Sequence, residues 1–583
     1  MYTSTRHLTR SDVLKWGLAA FFVLFIIRLF YLQIIRHDHY VAEAHNIQVQ
    51  PLTILPSRGE IYMRDGTDIA PLVKNEKVYT VFVDPTGIKN VDATSDALRG
   101  IIGGNLVDGY KTLMQDEGKG VRYRVLARNV SRAQADMIQK KDLAGIGLQQ
   151  STRRLYPEGS LAAQTLGYVN NDGAGQYGIE EALNIQLTGR PGVLETVTDV
   201  RKIPLTIKKE DVNTPAVDGD NVVLTLDRSV QVKAEELLKA GLDRAKATRG
   251  SIVVMDPATG GVIAMANYPT YSPENYNTVD DYAVFQNSVV SYPYENGSVI
   301  KVLTVGAGID SGAVTVNSTF PDGTGCVTVD DKKICNVEED PRQVSATMLD
   351  TLRYSLNTGV VYVTKQMGGG EINRAARDKL YGYFHDRFRF GQLTGIEQAG
   401  EAKGTIIAPS EQEGNNVRYA NMAFGQGMDV TMIQTAAAFS AEINGGMYYK
   451  PHVIYGTKKE DGSIVQKNTS LGSQRVMSAE ASAASRDLIW QGRKTGFFGA
   501  HDREGYKVGG KTGTSQVIDP KTGKYSNDNS VGSYLGFGGV DTPKYVIMVR
   551  VDDARVGGYE GTTAAGPIFN DMNNWMLDNY PLL

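Results

Sequence analysis

An α+β fold is predicted for the larger, C-terminal part of this 583-residue chain. Three observations carry that prediction. Two short apolar strands come early, Ser251-Ile-Val-Val-Met-Asp256 and Val262-Ile-Ala-Met-Ala266, joined as a hairpin across Pro257-Ala-Thr-Gly-Gly261. Three more come late, at 511–517, 533–538 and 544–551. Between them lies a long helical insertion, and an apolar face made by Ile568, Phe569, Met572, Trp575 and Met576 closes the chain. Five mainly antiparallel strands layered against helices bury both kinds of element, with the insertion as a helical subdomain.

The totals set outer bounds. The length suggests about two to four domains. A net charge of -4 gives no electrostatic footprint for nucleic acid. No His-Glu-x-x-His and no Cys/His zinc spacing occurs, so neither metal nor cofactor is expected. The two cysteines, Cys326 and Cys335, flank a probable hairpin. Outside the cytoplasm they can pair across it; two free thiols are the equal alternative.

Taken in order, residues 1–15 carry Arg6, Arg10 and Lys15 and read as a cytoplasmic tail. Residues 16–37 hold an apolar run of about 20 residues, enough for one transmembrane helix. Arg28 near its far end can snorkel or meet a partner helix. Ala42-Glu-Ala44 resembles a cleavage site but lies too far from the apolar run, so an uncleaved single-pass anchor in the cytoplasmic membrane is expected, with the rest of the chain extracytoplasmic. Residues 38–215 form an expected pedestal. Val78-Tyr-Thr-Val-Phe-Val83 alternates as a strand, Ser131 caps a helix, and Arg153 and Arg154 suit a solvated face or interdomain ion pairs. Thr214-Pro215 marks the boundary to a domain spanning 216–583. There Asp227 starts a helix carrying Val230, Ala234, Leu237, Leu238 and Leu242.

One stretch carries chemistry. After Gly297-Ser298 the chain is apolar on nearly every side from Val299 to Ile309, except for Lys301. A helix apolar all round is internal. A lysine inside it is unusual, and burial favours its neutral amine. Three residues apart on a helix, Ser298 and Lys301 share a face, as a nucleophile and its base require. Two later motifs join Ser298-Val-Ile-Lys301: Ser355-Leu-Asn357 and Lys511-Thr-Gly-Thr514. Lys-Thr-Gly occurs three times, at 494–496, 511–513 and 521–523. The first follows a helix expected to end at Trp490 and Gln491, and the last has turn chemistry. Only Tyr506-Lys-Val-Gly-Gly-Lys-Thr-Gly-Thr-Ser-Gln-Val517 reads as a strand with glycines at close approaches.

In this order the motifs form a described signature of serine acyl-transfer sites. The chain resembles the class B penicillin-binding proteins, the monofunctional, membrane-anchored peptidoglycan D,D-transpeptidases. The likeness runs almost end to end: Arg58-Gly-Glu-Ile61, Arg154-Leu-Tyr-Pro157, Tyr177-Gly-Ile-Glu180 with Leu187-Thr-Gly189, Leu224-Thr-Leu-Asp227 with Gln231, Phe424-Gly-Gln-Gly427, and Tyr559-Glu-Gly561 before Ala564-Ala-Gly-Pro567. Three positions depart from the family pattern. Leu356 replaces the middle Asp of the second motif, Asn296 stands where Pro is usual, and Met63 where Asp is usual. Asn296 is expected to loosen the turn before the nucleophile.

The resemblance implies a penicillin-binding transpeptidase fold on an elongated pedestal of the dimerisation type. It implies a stem peptide ending in D-Ala-D-Ala as donor and an amine on a second strand as acceptor. Ser298 attacks, Lys301 takes its proton, and backbone N–H groups of Ser298 and Thr514 hold the oxyanion. Ser355 relays a proton to the leaving D-Ala. Asn357 bonds the substrate or Lys301. Lys511, with Thr512 and Thr514, meets the terminal carboxylate. Gly513 leaves the strand bare for the peptide. β-Lactams would acylate Ser298, and a polytopic glycosyltransferase is the implied partner through anchor and pedestal. Two alternatives stand beside this reading. One is a carboxypeptidase- or β-lactamase-type hydrolase, which needs a base for water that the sequence does not reveal. The other is a non-catalytic penicillin-binding scaffold or sensor, which would have lost a reacting residue or carried an intracellular output domain.

Overall fold

The computed structural model describes residues 9–40, 49–115, 121, 123–197, 212–337, 344–468, 472–518, 525–558 and 560–580. The cleavage-like Ala42–Ala44, the Lys-Thr-Gly at 521–523 and Tyr559 lie outside these. The chain divides into two compact units, residues 1–58 with 188–219 and residues 59–187 with 220–583.

The first unit contains α1 (Arg10–Phe30), continued by a wide turn over Tyr31–Ile35. Thr9 and Asp12 close its N-terminus as a reciprocal capping box. None of its residues is buried, and with its continuation it is long enough and apolar enough to cross a membrane. The same unit holds a small antiparallel sheet in which Gly192–Val197 pairs with both Val49–Ile54 and Val212–Thr214.

The second unit is built on the predicted five strands: β1 (Arg249–Met255), β2 (Val262–Tyr268), β3 (Lys507–Ile518), β4 (Tyr525–Gly539) and β5 (Pro543–Asp552). They lie in the order β2-β1-β5-β4-β3, each pair antiparallel. Hence β3 is an edge strand of this sheet. On one face pack α2 (Arg228–Ala245), started by the Asp227 carboxylate as expected, and a C-terminal helix over Gly566–Asn579. On the other sits the helical insertion. Its inner helix, α3 (Ile300–Asp310), is buried almost throughout, together with α4 (Met348–Arg353), α5 (Asn357–Met367), α6 (Met432–Ile443) and α7 (Ala479–Lys494). The C-terminal helix is α8.

A second, seven-stranded sheet joins residues from both sides of the expected boundary at 215. Asn221–Asp227 pairs in parallel with Ile61–Asp65 and antiparallel with Ile454–Lys458. The compact units therefore divide differently from the linker composition, because strand pairing between residues far apart in sequence overrides a local turn signal. Met63 is fully buried in the joint core. Arg154 is not on a solvated face: it is buried against Glu180 at 2.8 Å, and Asn75 accepts a further bond at 2.8 Å. Arg153 does make the half-exposed pair expected of it, with Glu76 at 2.6 Å. Cys326 and Cys335 lie opposite each other in their hairpin and form a disulfide.

Candidate active site

Ser298 sits on a segment held by hydrogen bonds to residues 425–430. Tyr294 exchanges backbone hydrogen bonds with Val430, both at 3.1 Å. The Glu295 carboxylate accepts the Gly427 N–H at 2.7 Å, and Gly297 N–H donates to Gly425 O at 3.1 Å. Gly297 has φ +61°, and a Cβ there would lie 2.7 Å from Thr514 O, so glycine is needed twice over. Ser298 follows in a single 3₁₀ turn, Gly297–Val299, rather than at the cap of the long helix. α3 begins two residues later and buries Lys301, which is 1% exposed.

Asn296 does not loosen this turn. It is buried, its amide donates to Tyr294 O (3.0 Å) and Val430 O (3.1 Å), and its oxygen accepts from Thr435 Oγ1 at 2.5 Å. Its φ of -74° is one that proline also adopts. Three side-chain bonds thus do here what a fixed ring torsion does elsewhere in the family pattern.

Lys301 Nζ donates to the Ser355 carbonyl and to Ser355 Oγ at 3.2 Å. Ser355 is held at φ +60°, a backbone state costly for serine, which turns its hydroxyl and carbonyl to the lysine. The next residue, Leu356, is fully buried. The departure at that position therefore bears on core packing. Asn357 donates to Cys335 O at 2.8 Å rather than to Lys301. Beside it, Thr358 N–H bonds Asn336 Oδ1 (3.0 Å) and Thr358 Oγ1 bonds Asp322 (2.7 Å), so the disulfide-closed hairpin and the start of α5 form one support.

Lys511 is also buried, and its ammonium donates to Thr512 O (3.1 Å) and Thr512 Oγ1 (3.2 Å). Thr514 Oγ1 accepts from Gly561 N–H at 3.2 Å. Gly513 is bare for a reason other than the one expected. A Cβ on it would stand 2.7 Å from Asn296 O and 3.0 Å from Val299 Cγ1, so the glycine lets the turn around Ser298 rest on β3. Of the other Lys-Thr-Gly copies, that at 494–496 begins inside α7, which runs to Lys494, and the preceding Arg493 is bound to Asp502 at 2.6 Å. Ser298, Lys301, Ser355, Asn357, Lys511, Thr512 and Thr514 all line one cleft of about 570 Å³.

A row of residues across the sheet escapes sequence reasoning. Gly513, Ser533, Arg550, Ser251 and Asn267 are successive partners across the sheet. Ser533 Oγ and Tyr294 OH lie 2.8 Å apart, Arg550 stacks on the rings of Tyr292 and Tyr294, and Asn267 donates to Asn287 Oδ1 at 3.0 Å. Burial pushes the Tyr294 hydroxyl up to about 12, against the opposing pull of Arg550. The signal lay in Ser251, Asn267 and Arg550, each a polar residue interrupting an apolar run of its strand.

Sheet, helices and cleft together define a penicillin-binding type of transpeptidase fold. The family model for the penicillin binding protein transpeptidase domain matches residues 250–574, and that for the penicillin-binding protein dimerisation domain matches residues 53–224. Stage V sporulation protein D of Bacillus subtilis is 32% identical, over 98% of this chain and 85% of its own. Peptidoglycan D,D-transpeptidase FtsI of Escherichia coli is 28% identical, over 94% and 88%. A peptidoglycan synthetase from Bifidobacterium adolescentis has the same fold with a TM-score of 0.71 at 23% identity, covering 92% of this chain and 98% of that one. Penicillin binding protein 3 from Mycobacterium tuberculosis, solved with aztreonam, gives 0.66 at 23%, covering 91% and 98%. The chain belongs to the class B penicillin-binding proteins.

Proposed function

We propose that this protein is a serine-type peptidoglycan D,D-transpeptidase that cross-links stem peptides during division or elongation. The observation that carries the reading is the buried Lys301, donating to Ser355 inside the cleft that Ser298 lines. Ser298 Oγ attacks the penultimate D-Ala carbonyl as Lys301 takes its proton. Backbone N–H groups of Ser298 and Thr514 hold the oxyanion, each such donor being worth about 10²–10³ in rate. Ser355 passes the proton to the departing D-Ala amine. Lys511, Thr512 and Thr514 meet the terminal carboxylate, and the free edge of β3 takes the peptide as an added strand. Asn357 orients the substrate amide.

α1 anchors the chain in the cytoplasmic membrane with the catalytic unit outside, and a polytopic glycosyltransferase docks on anchor and pedestal to supply glycan. The test is labelling with fluorescent penicillin followed by product analysis with lipid-linked precursor and a glycan polymerase. The wild-type chain takes the label and yields cross-linked dimers, while Ser298→Ala does neither. Label retained by Ser298→Ala refutes the nucleophile; trimmed monomers in place of dimers refute transfer.

A further inference from the structure

Over β1 and β5 lies a separate cavity of about 160 Å³, close to the size that takes one six-membered ring. Val531 in its wall pairs with Ser515 in the wall of the main cleft. At about 4.8 Å per strand, β5 stands about 10 Å from β3. The two sites are therefore neighbours, yet among the described residues no side chain lines both. The walls of the cavity are fixed in advance. Gln164 is 4% exposed and donates from Nε2 to Pro269 O at 2.9 Å and to Val284 O at 3.2 Å. Ser251 Oγ donates to Asn267 Oδ1 at 2.8 Å.

The chemistry of these walls narrows the ligand. Arg550 is 4% exposed, and its Nε and Nη2 donate to Asp552 Oδ1 (2.7 Å) and Oδ2 (3.1 Å). Arg249 is paired with Asp281 at 3.1 Å. Neither arginine is free to draw an anion, and both oppose a cation. Two polar atoms are left over. Arg550 Nη1, a donor, and Asp553 Oδ1, an acceptor, are buried with no hydrogen-bond partner among the described residues. Buried groups of that kind are rare and costly. One secondary amide, with its C=O and its N–H, answers both in kind. Tyr292 adds a half-exposed ring lying on the Arg550 guanidinium at 4.3 Å. Tyr282, next to the lining residue Ala283, exposes a further ring. Both β1 and β5 are interior strands paired on either side, so the site presents side chains and no strand edge to which a peptide could add itself. A neutral, hydroxylated ring that carries an amide and lies against an aromatic face fits these walls.

We propose that this cavity is a saccharide site that seats an N-acetylated amino sugar of a glycan strand. The acetamido group bonds Arg550 and Asp553, the ring rests on Tyr292, and the hydroxyls meet Gln286 and Asp552. That the sugar belongs to the glycan being cross-linked rests on the transpeptidase reading above. An extended peptide of about four residues spans roughly 13 Å, more than the two-strand gap, so a stem peptide reaches Ser298 from a sugar held here. The strand is then gripped by its sugar backbone while the cleft works on its peptide.

The test uses the full chain in a detergent without a sugar headgroup, titrated by saturation-transfer NMR with chitotetraose, an oligomer of N-acetylglucosamine. Cellotetraose, the same backbone without acetamido groups, is the control. The wild-type chain binds chitotetraose, and cellotetraose about tenfold or more weakly. Tyr292→Ala and Asp553→Gly each weaken chitotetraose about tenfold, the scale of one hydrogen bond to a charged group. Glycine suits the φ of +54° at Asp553, so that variant loses the side chain without straining the backbone. It still takes fluorescent penicillin at a rate within about twofold of wild type. Equal binding of the two oligosaccharides, or no effect of Asp553→Gly, overturns the proposal. So does chitotetraose binding that is lost on penicillin acylation, which places the sugar in the main cleft. Tighter binding of N-acetyl-diglycine amide than of chitotetraose makes it a peptide site and overturns it too. A wild-type chain that binds chitotetraose but takes no penicillin refutes the transpeptidase reading and leaves the saccharide site standing; one that takes penicillin and binds neither oligosaccharide removes only the saccharide site.

Discussion

Glu442 supplies a sharp test of the core under α3. It lies on α6, fully buried, with Ser485 Oγ donating to its Oε1 and no hydrogen-bond partner for its Oε2. Its Oε1 fills the space a side chain would take at Gly306 of α3: a Cβ there would be 2.1 Å away. Burial pushes this carboxyl from 4.5 up to about 8, only partly opposed by the Ser485 bond. The native state therefore holds a proton that the unfolded chain releases above pH 4.5. Stability from this group is fully present below that pH and is lost progressively as pH rises towards 8. At 1.36 kcal/mol per pKa unit, the loss is about 1 kcal/mol at pH 5, about 3 at pH 7 and on the order of 4 to 5 above pH 8. Glu442→Gln is a neutral isostere of the protonated acid and escapes that loss. In a unit of roughly 500 residues the unfolding entropy is about 1 kcal/mol/K, so the variant should melt about 1 °C above wild type at pH 5 and about 4 °C above it at pH 8.5. Thermal melts of the detergent-solubilised chain across that range read the difference directly. A gap that does not change with pH, or a variant less stable at pH 8.5, would show that Glu442 is ionised in the native core.

Two further substitutions probe the frame. Gly513→Ala places a methyl 2.7 Å from Asn296 O and 3.0 Å from Val299 Cγ1, so penicillin acylation should fall by about 10² or more while the melting temperature drops by the few degrees typical of about 1–3 kcal/mol of overpacking; an acylation rate within threefold of wild type would mean the turn does not rest on β3. Glu180→Ala leaves Arg154 charged and buried, at a cost of about 3–5 kcal/mol, and the double change Arg154→Met with Glu180→Leu should recover most of it; a melt unchanged in Glu180→Ala would place Arg154 in water.

What was legible followed from local chemistry. The five strands, the Asp227 and Ser131 helix starts and the Cys326–Cys335 hairpin each announce themselves within about ten residues, where periodicity and capping act. Of the Lys-Thr-Gly copies, the one whose flanks read as a strand, at 511, lies on β3. What stayed hidden depends on pairing over long separations. Nothing near Tyr294 states that Val430 will bond its backbone, or that Ser533 will meet its hydroxyl. The reasons for individual residues were hidden for the same cause. Gly513 read as room for a ligand, yet its neighbour is the Asn296 carbonyl, more than two hundred residues earlier in the chain. Asn296 read as a weakness because a local rule values proline's fixed torsion, whereas its three partners lie on Tyr294, Val430 and Thr435. Leu356 read as a departure from the family pattern, and its side chain is fully buried in the core. In each case the motif residues are legible by type and order, and the groups that hold them in place only through contacts the order does not contain. A departure beside a motif is therefore damaging only when the tertiary structure offers its side chain no substitute partner, and at 296 it offers three.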